Sequence, residues 1–321
     1  MSKAIVAQES GGPEVLGLAE VEQPTPGPGQ LLIKVAAVGV NFIDTYQRSG
    51  LYKVPFPLTP GSEAAGTVAS VGDGVTDFAV GQRVSTCEAS GTYAEFVVVD
   101  AAKALPVPDG VPDDIAAALP LQGMTAHYLM NSSFRVEPGQ TVLTHAGAGG
   151  VGLLLTQLLK ARGARVITTV STDAKEQLAR EAGADEVLRY EGFSDRVREL
   201  TDGAGVDVVF DGVGKDTFDG SLSALRVRGM LVLFGGASGP VPPFDLQRLN
   251  AGGSLSVTRP TLGDFLRNPQ ERRWRASEVF GAAADGTLKV RIGARYPLAE
   301  AARAHSDLAG RKTTGKVLLM P

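Results

Sequence analysis

Residues Gly147-Ala148-Gly149-Gly150-Val151-Gly152 follow an apolar run, 141–146, and lead into a helical stretch, 153–161. Gly147, Gly149 and Gly152 satisfy the G-x-G-x-x-G spacing. The first glycine is expected to make the tight turn, the second to let backbone approach a pyrophosphate, and the third to pack helix against strand. A helix N-terminus then presents N–H groups and partial positive charge to the phosphates. The spacing alone is a weak signal, and its context gives it weight. Apolar runs at 165–170, 186–190, 206–211, 230–234 and 254–258 continue the pattern, with helical stretches at 173–182, 194–202 and 216–225. Continuous Val/Ile/Leu runs alternating with helices suit a parallel sheet buried on both faces. Six such strands make a complete doubly wound, Rossmann-type dinucleotide domain, so the predicted fold class is α/β.

Glycine supplies 40 of the 321 residues, a surplus over the ~7% of average usage that calls for a repeat or a glycine-demanding fold. No G-X-Y period is present, and 43% hydrophobic residues exclude collagen-like and disordered classes. The length favours two domains. The single cysteine, Cys87, cannot form an internal disulfide or a multi-cysteine zinc site, which fits a reducing compartment. With 31 basic and 35 acidic residues the net charge is −4, so there is no overall footprint for nucleic acid or anionic membrane. The opening Met1-Ser2-Lys3-Ala4-Ile5-Val6 has neither a signal h-region nor transit-peptide character. The longest run without a polar side chain, 146–155, is half a membrane span. A cytoplasmic protein with no membrane association is expected.

Residues 1 to about 125 read differently. Short β-rich runs at 31–40, 66–71 and 94–99 are punctuated by turn signals such as Pro24-Thr25-Pro26-Gly27-Pro28-Gly29 and Thr59-Pro60-Gly61. Evenly spaced strands suggest a barrel-like domain. The tail carries a helix near 273–284 and β-like ends at 289–292 and 316–320, which return to complete the first domain. The expected boundaries are 1–125 with 265–321 for the β-rich domain, and 126–264 for the nucleotide domain.

The end of the second Rossmann strand distinguishes NAD from NADP, because a carboxylate there holds the ribose 2′-hydroxyl of NAD. Here it reads Val170-Ser171-Thr172, with no acid. A 2′-phosphate is welcomed by the Ser171 hydroxyl and the Lys175 ammonium, so NADPH is the favoured cofactor. An ordinary solvated lysine is the other reading of Lys175. Tyr190, ending the third strand, is placed beside the same phosphate or the adenine. Asp173 is discordant so close to a dianion, and its expected role is helix N-cap. Two later loops, Asp211-Gly212-Val213-Gly214 and Phe234-Gly235-Gly236-Ala237-Ser238-Gly239, lie at strand carboxyl ends. Gly214, Phe234, Gly235 and Ser238 are therefore expected to border the nicotinamide half, plain turns being the alternative.

The sequence resembles, throughout its length, the zinc-independent quinone oxidoreductase branch of the medium-chain dehydrogenase/reductases, the group that includes zeta-crystallin. The resemblance rests on Gly11-Gly12-Pro13-Glu14-Val15-Leu16, on Gly39-Val40-Asn41-Phe42-Ile43-Asp44-Thr45-Tyr46-Gln47-Arg48-Ser49-Gly50-Leu51-Tyr52, and on Pro60-Gly61-Ser62-Glu63-Ala64-Ala65-Gly66. It continues through the phosphate loop, the 211–214 turn, Val257-Thr258-Arg259-Pro260 and Gly315-Lys316. The resemblance implies a GroES-like barrel for the first domain. It places Asn41 where zinc-dependent relatives have a ligand cysteine and Ser62 where they have a histidine. With only Cys87 and three scattered histidines, a catalytic zinc with three protein ligands is not expected.

Hydride delivery to an electron-poor quinone needs little acid catalysis beyond donors over a developing oxyanion. The resemblance implies that Asn41, Tyr46 and Tyr52 line the cleft beside the nicotinamide, with Tyr46 and Lys316 also at the cofactor, and Arg259 is placed on the other wall. Packed rings at a domain edge are the other reading of the two tyrosines. His127 and His145 are read as structural. No Ser/His/Asp arrangement in a nucleophile-elbow context supports hydrolysis. Reduction of α,β-unsaturated carbonyls (enones) remains an alternative to quinone reduction. An NADP-liganded structural or RNA-binding protein is a second alternative, its local support being Arg267, Arg272, Arg273 and Arg275 with Trp274. The resemblance further implies a homodimer paired through the edge strand at 254–258.

Overall fold

The computed structural model describes residues 1–321 and divides into two compact units, Met1–Gln122 with Asn268–Pro321, and Gly123–Arg267. In the first unit β1 (Ser2–Val6) and β2 (Gly17–Val21) form an antiparallel pair. The main sheet is built on β3 (Gln30–Val40), an 11-residue strand. α1 (Phe42–Arg48) follows it directly, and then come β4 (Glu63–Val71), β5 (Arg83–Thr86), β6 (Phe96–Asp100) and β7 (Leu105–Pro106). α2 (Asp113–Ala118) and α3 (Pro120–Tyr128) lead out of the sheet. β3 pairs antiparallel with β4 along its length and with β6 over Gln30 to Lys34. Register shifts at Leu32/Ile33 and Val35/Ala37 let so long a strand bend over its core. Ile33, Val35, Val38, Val68, Val97 and Leu319 fill that core.

The second unit alternates strictly. β8 (Thr141–Thr144), α4 (Gly150–Ala161), β9 (Arg165–Thr169), α5 (Asp173–Glu181), β10 (Glu186–Leu188) and α6 (Phe193–Leu200) make its first half. β11 (Val206–Asp211), α7 (Phe218–Ala224), β12 (Leu225–Leu233), α8 (Gln247–Ala251), β13 (Ser256–Thr258) and α9 (Leu262–Phe265) make its second. The six strands are parallel in the order β10-β9-β8-β11-β12-β13. In order of appearance this is 3-2-1-4-5-6, the doubly wound order whose switch point lies between β8 and β11. Val142, Leu143, Val166, Ile167, Val209 and Phe210 are buried on both faces, which accounts for their uninterrupted apolar runs.

The chain then returns to the first unit through α10 (Pro269–Ala284), β14 (Ile292–Pro297), α11 (Ala301–Ala309) and β15 (Lys316–Met320). Two expected boundaries shift. α10 begins at Pro269, because Asn268 accepts hydrogen bonds from the Gln270 and Glu271 N–H groups and proline suits the first turn. The strand expected at 289–292 instead runs Ile292–Pro297, since parallel pairing with β15 begins opposite Ile292. No helix is long and apolar enough to cross a membrane.

Candidate active site

In the second unit both glycine loops sit at the switch point, at the carboxyl ends of β8 and β11. The phosphate loop departs in detail from the sequence expectation. The left-handed turn is made by Ala146, with φ of 56°, while Gly147 is required by space: a Cβ there would lie 2.3 Å from Thr168 Oγ1. α4 starts at Gly150 with Gly149 as N-cap, three residues before the expected start at 153. Gly152 therefore lies inside the first helical turn, where a Cβ would come within 2.3 Å of the Ala146 carbonyl oxygen. The first intrahelical bond runs from Leu153 N to Gly149 O. The N–H groups of Gly150, Val151 and Gly152 precede it and face outward from the helix end. A cradle that any side chain would fill, lined by outward N–H donors, fits a dinucleotide pyrophosphate.

At the end of β9, Ser171 is exposed and its Oγ lies 3.4 Å from Lys175 Nζ. No carboxylate occupies the 170–172 turn, which fits a 2′-phosphate. The helix N-cap here is Thr172, whose Oγ1 accepts from Lys175 N, and not Asp173 as expected. Asp173 is the first residue of α5 and turns outward, where Arg189 holds its carboxylate. The Tyr190 ring lies nearly parallel to that of His145, centroids 6.2 Å apart.

Beneath the loops runs a buried polar network. His145 Nδ1 is 2.8 Å from Thr169 Oγ1 and Nε2 is 2.9 Å from Ser221 Oγ. The Ser221 hydroxyl donates to Asp211 Oδ2 at 2.9 Å. Its one proton is thereby used, so Nε2 carries a proton toward Ser221 and Nδ1 accepts from Thr169. Burial holds the imidazole below its ordinary pKa, with Asp211 opposing. This Ser/His/Asp set is fully buried and the aspartate grips the serine, so it cannot act as a nucleophilic triad. Asp211 also accepts from Thr217 Oγ1 and from the N–H groups of Val213 and Gly214. It thus shapes the second loop, in which Gly214 takes φ of 90°. Ser238 Oγ donates to Val213 O, and Phe234 N to Asp211 O, lacing the third loop to the second. A Cβ on Gly235 would lie 2.5 Å from Gly212 O. Arg259 follows β13 and is exposed, donating to Pro260 O.

In the first unit Asn41 follows β3 and caps α1, with its own N–H donating to Asp44 Oδ2 in a capping box. Its side chain is buried and fully used. Nδ2 donates to Gly39 O and to Glu63 Oε2, and Oδ1 accepts from Lys316 Nζ at 2.7 Å. Lys316 also pairs with Glu63, whose other oxygen accepts from Leu121 N. Asn41 was expected to line the cleft and Lys316 to reach the cofactor, and here the polar atoms of both side chains bond within the first unit. Both are consumed holding one another, because a buried ammonium and a buried carboxylate must be paired. Beside them, Asp44 accepts from Tyr93 OH, which lies 2.9 Å from His305 Nε2, and His305 Nδ1 faces Arg48. Burial pushes Asp44 up to about 7, against the opposing bonds from Asn41 and Tyr93. Burial, then Arg48, holds His305 down to about 3. The Tyr46 and Tyr52 rings meet at 5.4 Å, Tyr52 being partly exposed.

The comparisons with known proteins follow this division. Residues 27–109 match the alcohol dehydrogenase GroES-like domain family, and residues 150–277 match the family described as zinc-binding dehydrogenase. The chain is 46% identical to a quinone oxidoreductase of Pseudomonas aeruginosa, covering 100% of both. It belongs to the quinone oxidoreductases of the medium-chain dehydrogenase/reductase superfamily. It is also 42% identical to a 2-haloacrylate reductase of a Burkholderia species, covering 100% of this chain and 99% of that one. A mycobacterial structure solved in complex with NADPH superposes with a TM-score of 0.98 at 54% identity, covering 100% of both chains.

As a member of this quinone oxidoreductase family, the chain departs from the zinc-binding description at the residues themselves. Asn41 and Ser62 offer no thiolate or imidazole, and no group of three or more His, Cys, Asp or Glu side chains converges. Burial, with Glu63 and Glu88, pushes the Cys87 thiol well up. The arginine cluster is not a basic face. Arg272 is buried against Glu88 and Arg275 is fully buried beside Glu271, so packing within the first unit has used them. Sequence reasoning missed Asp44, Tyr93 and His305 as one network, and Arg189 beside Asp173. The Asn41-x-x-Asp44 spacing was a readable signal for the first.

Proposed function

We propose that this protein is an NADPH-dependent reductase of small quinones that works without a metal. The observation that carries the reading is the phosphate cradle at Gly147, Gly149 and Gly152, joined to a β9 end with Ser171 and Lys175 and no carboxylate. The second unit holds the cofactor: Gly150, Val151 and Gly152 N–H groups at the pyrophosphate, Ser171, Lys175 and Tyr190 at the adenosine end, and Gly214, Phe234, Gly235 and Ser238 toward the nicotinamide. When bound, NADPH supplies a hydride, and a proton from solvent completes the hydroquinone. In the first unit the paired Tyr46 and Tyr52 rings and hydroxyls suit a planar acceptor, and in the second Arg259 is an exposed positive charge after β13. Asn41, Glu63 and Lys316 fix the start of α1, which carries Tyr46. Asn41 stands where the resemblance places a zinc-ligand cysteine, and the buried Lys316 ammonium beside it balances the Glu63 carboxylate.

Similarity to a quinone oxidoreductase, and to a structure that holds NADPH, supports this reading. The test is a panel of small quinones with NADPH and NADH in parallel. Steady NADPH consumption with at least one quinone is expected, and no turnover with any of them refutes the proposal. Similarity to a 2-haloacrylate reductase supports a second reading, reduction of an activated carbon–carbon double bond, which enones and haloacrylate in the same panel would reveal. We also propose a cytoplasmic homodimer paired through β13. That strand is the sheet's edge, with one side open to pairing, and a monomer in light scattering at micromolar concentration would exclude the dimer.

A further inference from the structure

A carboxylate one residue beyond the Ser171-Thr172 turn is out of place beside a dianionic phosphate. Asp173 is that carboxylate, at the first position of α5 with its side chain fully exposed. Arg189 answers it. Arg189 is the first residue past β10, the neighbour of β9 in the sheet, and Val170 N to Leu188 O carries that pairing to the turn itself. Its Nη2 donates to Asp173 Oδ1 at 2.5 Å and lies 2.9 Å from Glu176 Oε2. Arg180 takes the other oxygen of Glu176, with its Nε at 2.9 Å. Two carboxylates and two guanidinium groups thus sum to zero net charge around the first turn of α5.

We propose that Arg189 is a specificity-determining residue for the 2′-phosphate. It acts by cancelling Asp173, so that a phosphate at Ser171 and Lys175 meets no net negative charge from the helix start. The inference rests on the NADPH reading above. Arg189 is a positioning residue and does not itself touch the phosphate. It also ties the chain just ahead of Tyr190 to α5, which keeps that ring near the adenosine end. Without it, Asp173 keeps its place at a helix N-terminus, where a carboxylate is favoured, and repels the ligand across solvent.

The test uses the full-length protein and two cofactor fragments, adenosine 2′,5′-bisphosphate and adenosine 5′-monophosphate, titrated calorimetrically. Wild type is expected to prefer the bisphosphate. Arg189→Ala should weaken bisphosphate binding about five- to tenfold at low salt, and less at high salt, while the monophosphate changes less than about twofold. Arg189→Lys should retain most of the preference, and adding Asp173→Asn to Arg189→Ala should restore it. An equal loss for both fragments, or no restoration by Asp173→Asn, overturns the role given to Arg189 and leaves the cofactor reading standing. A wild type with no preference for the bisphosphate refutes the NADPH reading, and this inference with it.

Discussion

The two units solve the same problem, holding reactive groups in fixed places, with different materials. The second unit uses backbone: glycines that keep space open, N–H groups at a helix end, and a neutral hydroxyl and imidazole network anchored on Asp211. The first unit uses buried charge: Lys316 against Glu63 around Asn41, with Asp44, Tyr93, His305 and Arg48 alongside. Backbone donors carry no net charge, so burying them costs less than burying an ion once each finds a hydrogen-bond partner. Buried ions are stable only as complete sets, because removing one member strands the other in a low-dielectric interior. The contrast predicts brittle chemistry in the first unit and brittle sterics in the second.

The largest effect is expected where the contrast is sharpest. Lys316→Met strands the Glu63 carboxylate and should cost about 3–5 kcal/mol in urea unfolding. Adding Glu63→Gln should recover a substantial part, and a lone Lys316→Met with wild-type stability would show that the pair is not charged. In the second unit, Gly152→Ala puts a Cβ against the Ala146 carbonyl, which cannot swing aside. A loss of NADPH affinity of about 100-fold, or about 2.7 kcal/mol, is expected from cofactor fluorescence.

A pH series sharpens the comparison further. Asp44, raised from 3.8 to about 7 in the folded protein, keeps a proton that the unfolded chain releases, so its contribution is lost as pH rises from about 4 to 7. His305, lowered from 6.5 to about 3, acts in the opposite sense: the unfolded chain binds a proton that the native state refuses, so stability falls as pH drops from 6.5 toward 3. The two slopes offset one another between about pH 4 and 6.5. Asp44→Asn removes one of them and should expose the other, with stability falling by about 1.4 kcal/mol per pH unit on acidification through that window. A variant with an unchanged pH profile would show that Asp44 is ionised throughout. The smallest effect is expected for Ser221→Ala. It leaves the His145 Nε2–H without its acceptor while Asp211 Oδ2 keeps Thr217 Oγ1, at a cost of about 1–3 kcal/mol in unfolding and little change in the pH profile above pH 6.

The nucleotide unit was largely legible because its determinants are local in the chain. The G-x-G-x-x-G spacing, the alternation of apolar runs with helices, and the missing acid at 170–172 each lie within one strand–turn–helix segment. What escaped there was the division of labour inside the loop, where Ala146 takes the left-handed turn and Gly147 clears Thr168. Neither is encoded by spacing alone. The start of α10 is encoded locally by Asn268-Pro269, whereas the place of β14 is set by pairing with β15 from Ile292 onward.

The sequence by itself determined a parallel, doubly wound nucleotide unit, the glycines that keep space open at the start of α4, and the absence of thiolate and imidazole at Asn41 and Ser62. Such features follow from periodicity and residue type within a few neighbouring positions. Only the tertiary structure decided what Lys316, Asn41, Asp44, His305 and Arg189 do. Lys316 and Asn41 meet although they stand 275 positions apart. A buried charge takes its role from whichever partner the fold brings within hydrogen-bond distance, and no pattern along the chain names that partner in advance.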